Sequence, residues 1–355
     1  MKKFLIIAIV LVALSTSGCI KFKTANDASD TNGGVFKTVN MGNTWAQKVL
    51  IPTVTGQPKS FAGVNVSSFF MDPSDKGALY FGSVGNGMFY TYDGANNWQI
   101  AGSLEKATVK DVAIDPDSKC IIYTAIGNKV FKSIDCNRTW RQVYFDNDMK
   151  ATVSAIAIDH YDTSNIYIAI SRGDVVKSTN GGEGWNTVYR PKNYIKSIII
   201  DSNDSRNVFL ISNDKGIFRT KDGGESWNSM ENLQNVLKEQ KLGSNIRNLK
   251  IIKGSQGIMF AATQLGLLKT VDDGENWERI PIIPTEKKAV INDFDLDQKD
   301  YNKIFYVTNT TFYRSLDGGE NWTTIKLPTS RYGMRLIVDP SDSNIIYMAV
   351  YKPEK

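Results

Sequence analysis

One octapeptide returns seven times along the chain and takes up all seven of its tryptophans. Residues 315–322 read SLDGGENW, and 270–277 (TVDDGENW), 220–227 (TKDGGESW) and 178–185 (STNGGEGW) are close copies. Residues 133–140 (SIDCNRTW), 91–98 (TYDGANNW) and 38–45 (TVNMGNTW) are looser ones. The common pattern is Ser/Thr-x-Asp/Asn-x-(Gly)-x-x-Trp. Successive tryptophans lie 53, 42, 45, 42, 50 and 45 residues apart. A period near 45 residues marks a repeat architecture in which each unit buries its core only against its neighbours. It overrides the two-domain expectation that 355 residues would otherwise raise.

A second motif runs out of phase with the first. Asp72-Pro73-Ser74-Asp75, Asp115-Pro116-Asp117 and Asp339-Pro340-Ser341-Asp342 each follow one apolar run and precede another. Asp159-His160-Tyr161-Asp162, Asp201-Ser202-Asn203-Asp204 and Asp297-Gln298-Lys299-Asp300 hold equivalent places, and Gly254-Ser255 fills the remaining one. Asp and Pro form turns there, the first by bonding the backbone just after it and the second by presetting φ. Between the motifs the chain alternates and is rich in β-branched residues, as in 155–158 and 195–200, which predicts short strands. Four antiparallel strands per repeat is the pattern of a propeller blade.

The ends complete the count. Only a third strand, 35–37, precedes the first octapeptide, while 334–338 and 345–351 supply two strands with no octapeptide after them. Together these make one shared blade. The expected fold is all-β: a single seven-bladed β-propeller of four-stranded antiparallel blades over 34–352, closed by pairing of its N- and C-terminal strands and followed by a tail, 353–355. Closure removes the sheet edges that an open array would expose.

The repeated octapeptide resembles the Asp-box, or bacterial neuraminidase repeat, of sialidases, sortilin-type receptors, some glucanases and the photosystem II stability/assembly factor proteins. The resemblance covers 33–352; its motif is specific for the fold and not for a function. Physically the box is a hairpin turn. The side chains of Asn40, Asp93, Asp135, Asn180, Asp222, Asp272 and Asp317 accept local backbone N–H groups. Trp45, Trp98, Trp140, Trp185, Trp227, Trp277 and Trp322 pack between blades.

Strand parity places both motifs on one rim of the disc. The irregular loops then share the opposite face, where binding sites normally sit. Residues 52–62 and 228–243 carry the extra length, and 230–242 reads as a short helix. The between-blade loops of this face hold twelve Lys and Arg against six Asp and Glu. Arg190, Lys192, Lys287, Lys288 and Arg331, with Tyr189 and Tyr194, suit contact with a protein or an anionic glycan. Four residues before each turn Asp or its equivalent, the inner strands bring Ser68, Asp111, Ala155, Ser197, Lys250, Asp293 and Arg335 to the channel. Asp111 and Asp293 are the one carboxylate pair there that offers a catalytic alternative, with Lys250 and Arg335 balancing their charge.

At the N-terminus, Lys2 and Lys3 precede eleven apolar residues, 4–14, too few for a spanning helix of roughly twenty. The stretch suits a secretory h-region. Thr16-Ser17-Gly18-Cys19 resembles a bacterial lipobox, which implies a signal peptide over 1–18, a lipid on Cys19, a tether over 19–33 and a membrane-anchored, extracytoplasmic protein. Cys120 and Cys136 fall near one end of one hairpin, and an oxidising compartment favours their disulfide.

Formal charge is +5, or +3 without Lys2 and Lys3, and no basic run is interleaved with aromatics, which argues against nucleic acid as a partner. No Ser–His–Asp set, metal cluster or phosphate loop is visible, so no cofactor and no metal are expected. Sialidases carry an Arg-Ile-Pro segment ahead of the first box; here Arg279-Ile280-Pro281 follows the sixth Trp, in a fourth strand. The single exported disc resembles the photosystem II assembly-factor family most. That resemblance implies a monomeric, noncatalytic scaffold that grips a membrane-protein client. A glycoside hydrolase acting on extracellular glycans is the alternative.

Overall fold

The computed structural model describes residues 31–104, 106–284 and 290–353. Seven four-stranded antiparallel sheets follow one another around a central channel. Six are built from consecutive sequence. Their inner strands are Val66–Met71, Val109–Asp115, Val153–Ile158, Ile195–Ile200, Ile246–Ile251 and Asp293–Leu296, in blades one to six. The seventh takes its inner strands, Tyr332–Val338 and Ile346–Tyr351, from the C-terminus and its outer strands, Val35–Thr38 and Ala46–Gln47, from the N-terminus. Val35 pairs with Ala349 and Thr38 with Ile346, which closes the ring as the divided repeat predicts.

The second strands of blades one, three, four, five and six are buried from end to end, as in Ile166–Ile170 and Val208–Ser212, because they lie mid-blade and are covered on both faces by neighbouring blades. The apolar clusters accordingly straddle blade boundaries. Phe209, Ile211 and Ile217 of blade four pack with Leu249, Met259 and Leu268 of blade five.

Both length excesses take ordered form. Leu50–Ile51 pairs with Lys59–Ser60 as a small accessory hairpin, from which Phe61 packs edge-on against Trp98 at 5.6 Å. A helix, Glu231–Glu239, lies within the expected 230–242 segment and buries Leu233 and Leu237 against the boundary of blades four and five. Among the described residues no helix is long and apolar enough to cross a membrane. The expected signal peptide 1–18, Cys19 and most of the expected 19–33 tether lie outside the described residues, as do Lys287 and Lys288.

Candidate functional site: the irregular-loop face and the channel mouth

The repeated box is a closed hydrogen-bonded turn, shown most completely at 315–322. The Ser315 hydroxyl donates to Asp317 Oδ1 (2.7 Å) and accepts the Gly319 N–H (2.8 Å). Asn321 donates from its backbone and its side-chain amide to the two Asp317 oxygens, at 2.9 and 2.8 Å. With the Asn321 amides first among the causes, the Asp317 carboxyl is held down at about 2. Gly319 has φ +99°, and a Cβ there would collide with Ile280 of the preceding blade. Asn180 performs the same task as a neutral amide, accepting the Ser178 hydroxyl (2.9 Å) and the Gly184 N–H (2.8 Å).

Boxes also tie blades together. Trp227 stacks on Tyr189 of the preceding blade at 5.5 Å, and the Trp322 indole N–H donates to the Pro281 carbonyl of the preceding blade (2.8 Å). The turn aspartates of the second motif behave as local acceptors. Asp72 takes the N–H groups of Ser74 and Asp75, and Asp339 takes that of Ser341. These bonds make the rim bearing both motifs a stapled frame, and His160 is exposed on it.

On the opposite face the candidate residues separate. Arg190 is exposed and its Nε donates to Asp174 (3.2 Å). Asp174 also accepts Arg172 Nε (2.6 Å), and Arg172 grips Asp146 with two bonds of 2.8 Å. That bidentate contact holds the Asp146 carboxyl below its usual range. The sequence reading did not single out Arg172 and Asp174 as part of this network, because nothing in their spacing reveals that two adjacent loops meet. Lys192 is exposed, with φ +51°. Tyr194 stands partly exposed at the channel mouth, while Tyr189 is half-buried between blades.

Arg331 requires a correction. It is 2% exposed, and its guanidinium donates to the carbonyls of Gly63 and Val64 and to Asn65 Oδ1 (2.9–3.1 Å). It clasps blade seven to blade one across the closure and is not a surface contact residue. Asn65 in turn accepts the Lys352 N–H (2.9 Å), and the Gly33 N–H donates to Ala62 O (2.7 Å), so both ends of the propeller emerge on the irregular-loop face.

The channel opens on this face as a cavity of about 320 Å³. Ser68, Asp111, Ser197, Lys250, Asp293 and Arg335 line it as expected, but Ala155 does not; it is fully buried in the core between blades three and four. Each channel carboxylate binds backbone of the next blade. Asp111 accepts the Ile156 N–H (2.8 Å), Asp293 that of Leu336 (3.1 Å), and Asp295 that of Val338 (2.9 Å). Asn248 adds a bond to Asp293 (2.8 Å), and Lys250 pairs with Asp295 (2.9 Å). Burial, only partly offset by the backbone N–H groups and Arg335, pushes Asp111 up to about 7; burial also raises Asp293. Lys196 and Arg247 line the same cavity.

Cys120 and Cys136 are joined by a disulfide between the second strand and the box turn of blade two. In that box Cys136 and Asn137 stand where other copies have glycines, and both take positive φ, 58° and 69°. Among the described residues no group of His, Cys, Asp and Glu is placed to hold a metal ion.

Architecture and repeat together define a seven-bladed Asp-box propeller, stapled on one rim and open to irregular loops on the other. Residues 190–330 match the family model of the photosynthesis system II assembly factor YCF48. Among solved structures, YCF48 from Cyanidioschyzon merolae is similar at a TM-score of 0.59 and 14% identity, over 81% of this chain and 95% of that one. A YCF48 bound to a D1 peptide is similar at 0.59 and 13%, over 86% and 94%. The GH74 xyloglucanase from Xanthomonas campestris is similar at 0.64 and 16% over 81% of this chain; the match spans only 51% of the enzyme's own length. At such identities these likenesses establish the fold. No curated protein matches the chain in sequence.

Proposed function

We propose that this protein is a noncatalytic binding or assembly module that holds a protein client on its irregular-loop face. The observation that carries the reading is the asymmetry of the disc. One rim is consumed by repeated turns whose polar groups bond to each other, while the other presents unrepeated loops with the exposed cations Arg190 and Lys192 around an open channel. The family match over 190–330, and the peptide carried by one YCF48 structure, support a polypeptide as the bound class.

The leader supports a membrane setting. If Cys19 carries lipid, the tether joins the propeller on the same face as the loops, since Gly33 is fastened to Ala62 there. The client would then be met on the membrane-proximal side, as suits a membrane protein.

A photocrosslinking residue placed at Lys192 or Tyr332 should label one specific membrane protein in intact cells, and the same residue at exposed Leu316 on the stapled rim should not. Arg190→Glu with Lys192→Glu should abolish the labelling from position 332. Equal labelling from both faces, or none above background, would remove the proposal.

A glycoside hydrolase is the second reading, favoured by Asp111 and Asp293 on the channel wall and by the fold shared with GH74 enzymes. It requires glycan cleavage by purified protein that disappears in Asp111→Asn or Asp293→Asn. The engagement of both carboxylates by backbone of adjacent blades weighs against it.

A further inference from the structure

The channel mouth gathers three cations that make no direct ion pair among the described residues. Lys196 is the second residue of its inner strand, Arg247 the second of the next, and Arg335 lies in the inner strand of blade seven. All three line the 320 Å³ cavity. Among the described residues none of them is in an ion pair, whereas Lys250 deeper in the wall is paired with Asp295. Lys196 donates only to the Asn245 side-chain oxygen, and Arg335 only to the Met334 carbonyl (3.3 Å). Arg247 Nε is buried and has no acceptor at all.

The three cations also feel one another. Burial first, and then Arg247 and Arg335, bring Lys196 down to about 8. Burial and Arg335 lower Arg247, against a weaker opposing pull from Asp293. Asp111 and Asp293 attract Arg335, and Asp293 attracts Arg247, but neither carboxylate reaches ion-pair contact with the cluster; both bond to backbone N–H groups, and Asp295 holds Lys250. Partly buried like charges that lack a paired counterion are costly, and the cost falls when an anion enters. Ser197 adds a neutral hydroxyl on the same wall. Charge-assisted bonds from guanidinium and ammonium groups, completed by hydroxyls, are the chemistry that recognises an oxyanion. A volume of 320 Å³ is at the lower end for ligand pockets and admits a small molecule or one acidic group.

We propose that the channel mouth is a binding site for a small oxyanion of two or more negative charges, held by Lys196, Arg247 and Arg335. The site goes beyond the protein-binding reading and does not depend on it. A carboxylate and a phosphate share the required chemistry, and separate probes tell them apart.

The purified protein is titrated with citrate and with inorganic phosphate by calorimetry at constant ionic strength, with chloride as the control. Saturable one-to-one binding of citrate assigns a carboxylate ligand, and of phosphate a phosphate ligand. Arg247→Gln and Arg335→Gln should each weaken the bound probe at least ten-fold. Lys196→Gln, a less drastic change, should weaken it while circular dichroism stays unchanged, and Asp111→Asn should tighten it by removing a negative neighbour. No saturable binding of either probe overturns the proposal, as does affinity unchanged in Lys196→Gln and in a folded Arg247→Gln, Arg335→Gln pair. Client crosslinking from Lys192 is read independently, so loss of anion binding with labelling intact separates this site from the proposed function.

Discussion

The Tyr167 hydroxyl donates to the carbonyl of Gly223, 2.6 Å away in the box of the next blade, and Lys177 Nζ reaches the same oxygen at 2.8 Å while lying over the Tyr167 ring. The arrangement recurs where Tyr123 and Lys132 both donate to Gly181 O, and where Lys37 lies over Tyr347 and donates to Gly94 O. Arg219 and Arg314 make the corresponding bonds to Asp273 O and Met41 O. The cation always immediately precedes the Ser or Thr of its own box. Five of the seven boxes are therefore both the turn of their own blade and the acceptor for the blade before it.

Tyr167→Phe should cost about 1 kcal/mol, the net worth of one such hydrogen bond. Lys177→Ala should cost a similar amount. The double variant should depart from the sum of the two, because both donors serve one carbonyl. Urea denaturation of the four proteins measures this.

Arg331→Ala should destabilise the protein by about 3 kcal/mol, since it leaves the Gly63 and Val64 carbonyls at the start of blade one without this donor. Arg190→Ala, at an exposed ion pair, should change stability by less than about 1 kcal/mol. Equal effects in chemical denaturation would contradict the clasp.

Asp111 gives stability a pH dependence of definite sign. Its carboxyl is raised to about 7 in the fold, so between the unfolded value near 4 and 7 the folded state holds the extra proton. Its contribution is fully present below about pH 4 and is lost as pH rises through 7. Asp111→Asn, which keeps an acceptor for Ile156, should raise Tm at pH 8, by up to about 4 kcal/mol in stability, and leave it nearly unchanged at pH 4.

The box carboxylates act in the opposite sense. Asp135, Asp272 and Asp317 are held at about 2 by their local donors, so their contribution is present above about pH 4 and is lost as pH falls through 2. Melting temperatures should drop steeply over that interval. Asp317→Asn should be tolerated, because Asn180 already performs this role, whereas Asp317→Ala should lower Tm.

Cys120→Ser should cost about 2–4 kcal/mol by opening the short loop closed by the disulfide. Adding Cys136→Gly should recover part of that loss, because Gly accepts the positive φ of position 136 without steric cost. Thermal melts of the single and double variants make the comparison.

The architecture was legible because it is written seven times. Trp spacing counted the blades, the divided repeat revealed the closure, and strand parity separated the stapled rim from the loop face. The same regularity hid the site. Arg331 and Arg190 are both loop cations in sequence, yet one is 2% exposed and the other lies open to solvent. Local sequence does not say which carbonyls a long side chain will meet.

Repetition, turn chemistry and alternation, all short-range properties, determined the seven blades and their Asp-box turns from sequence alone. Only the tertiary structure decided which side chains face one another around the ring. Ile156 and Asp111 are 45 residues apart, and Gly223 and Tyr167 are 56. Lys196, Arg247 and Arg335 meet because closing the ring brings the inner strands of blades four, five and seven to one channel. Their convergence follows from that closure, which no single repeat contains.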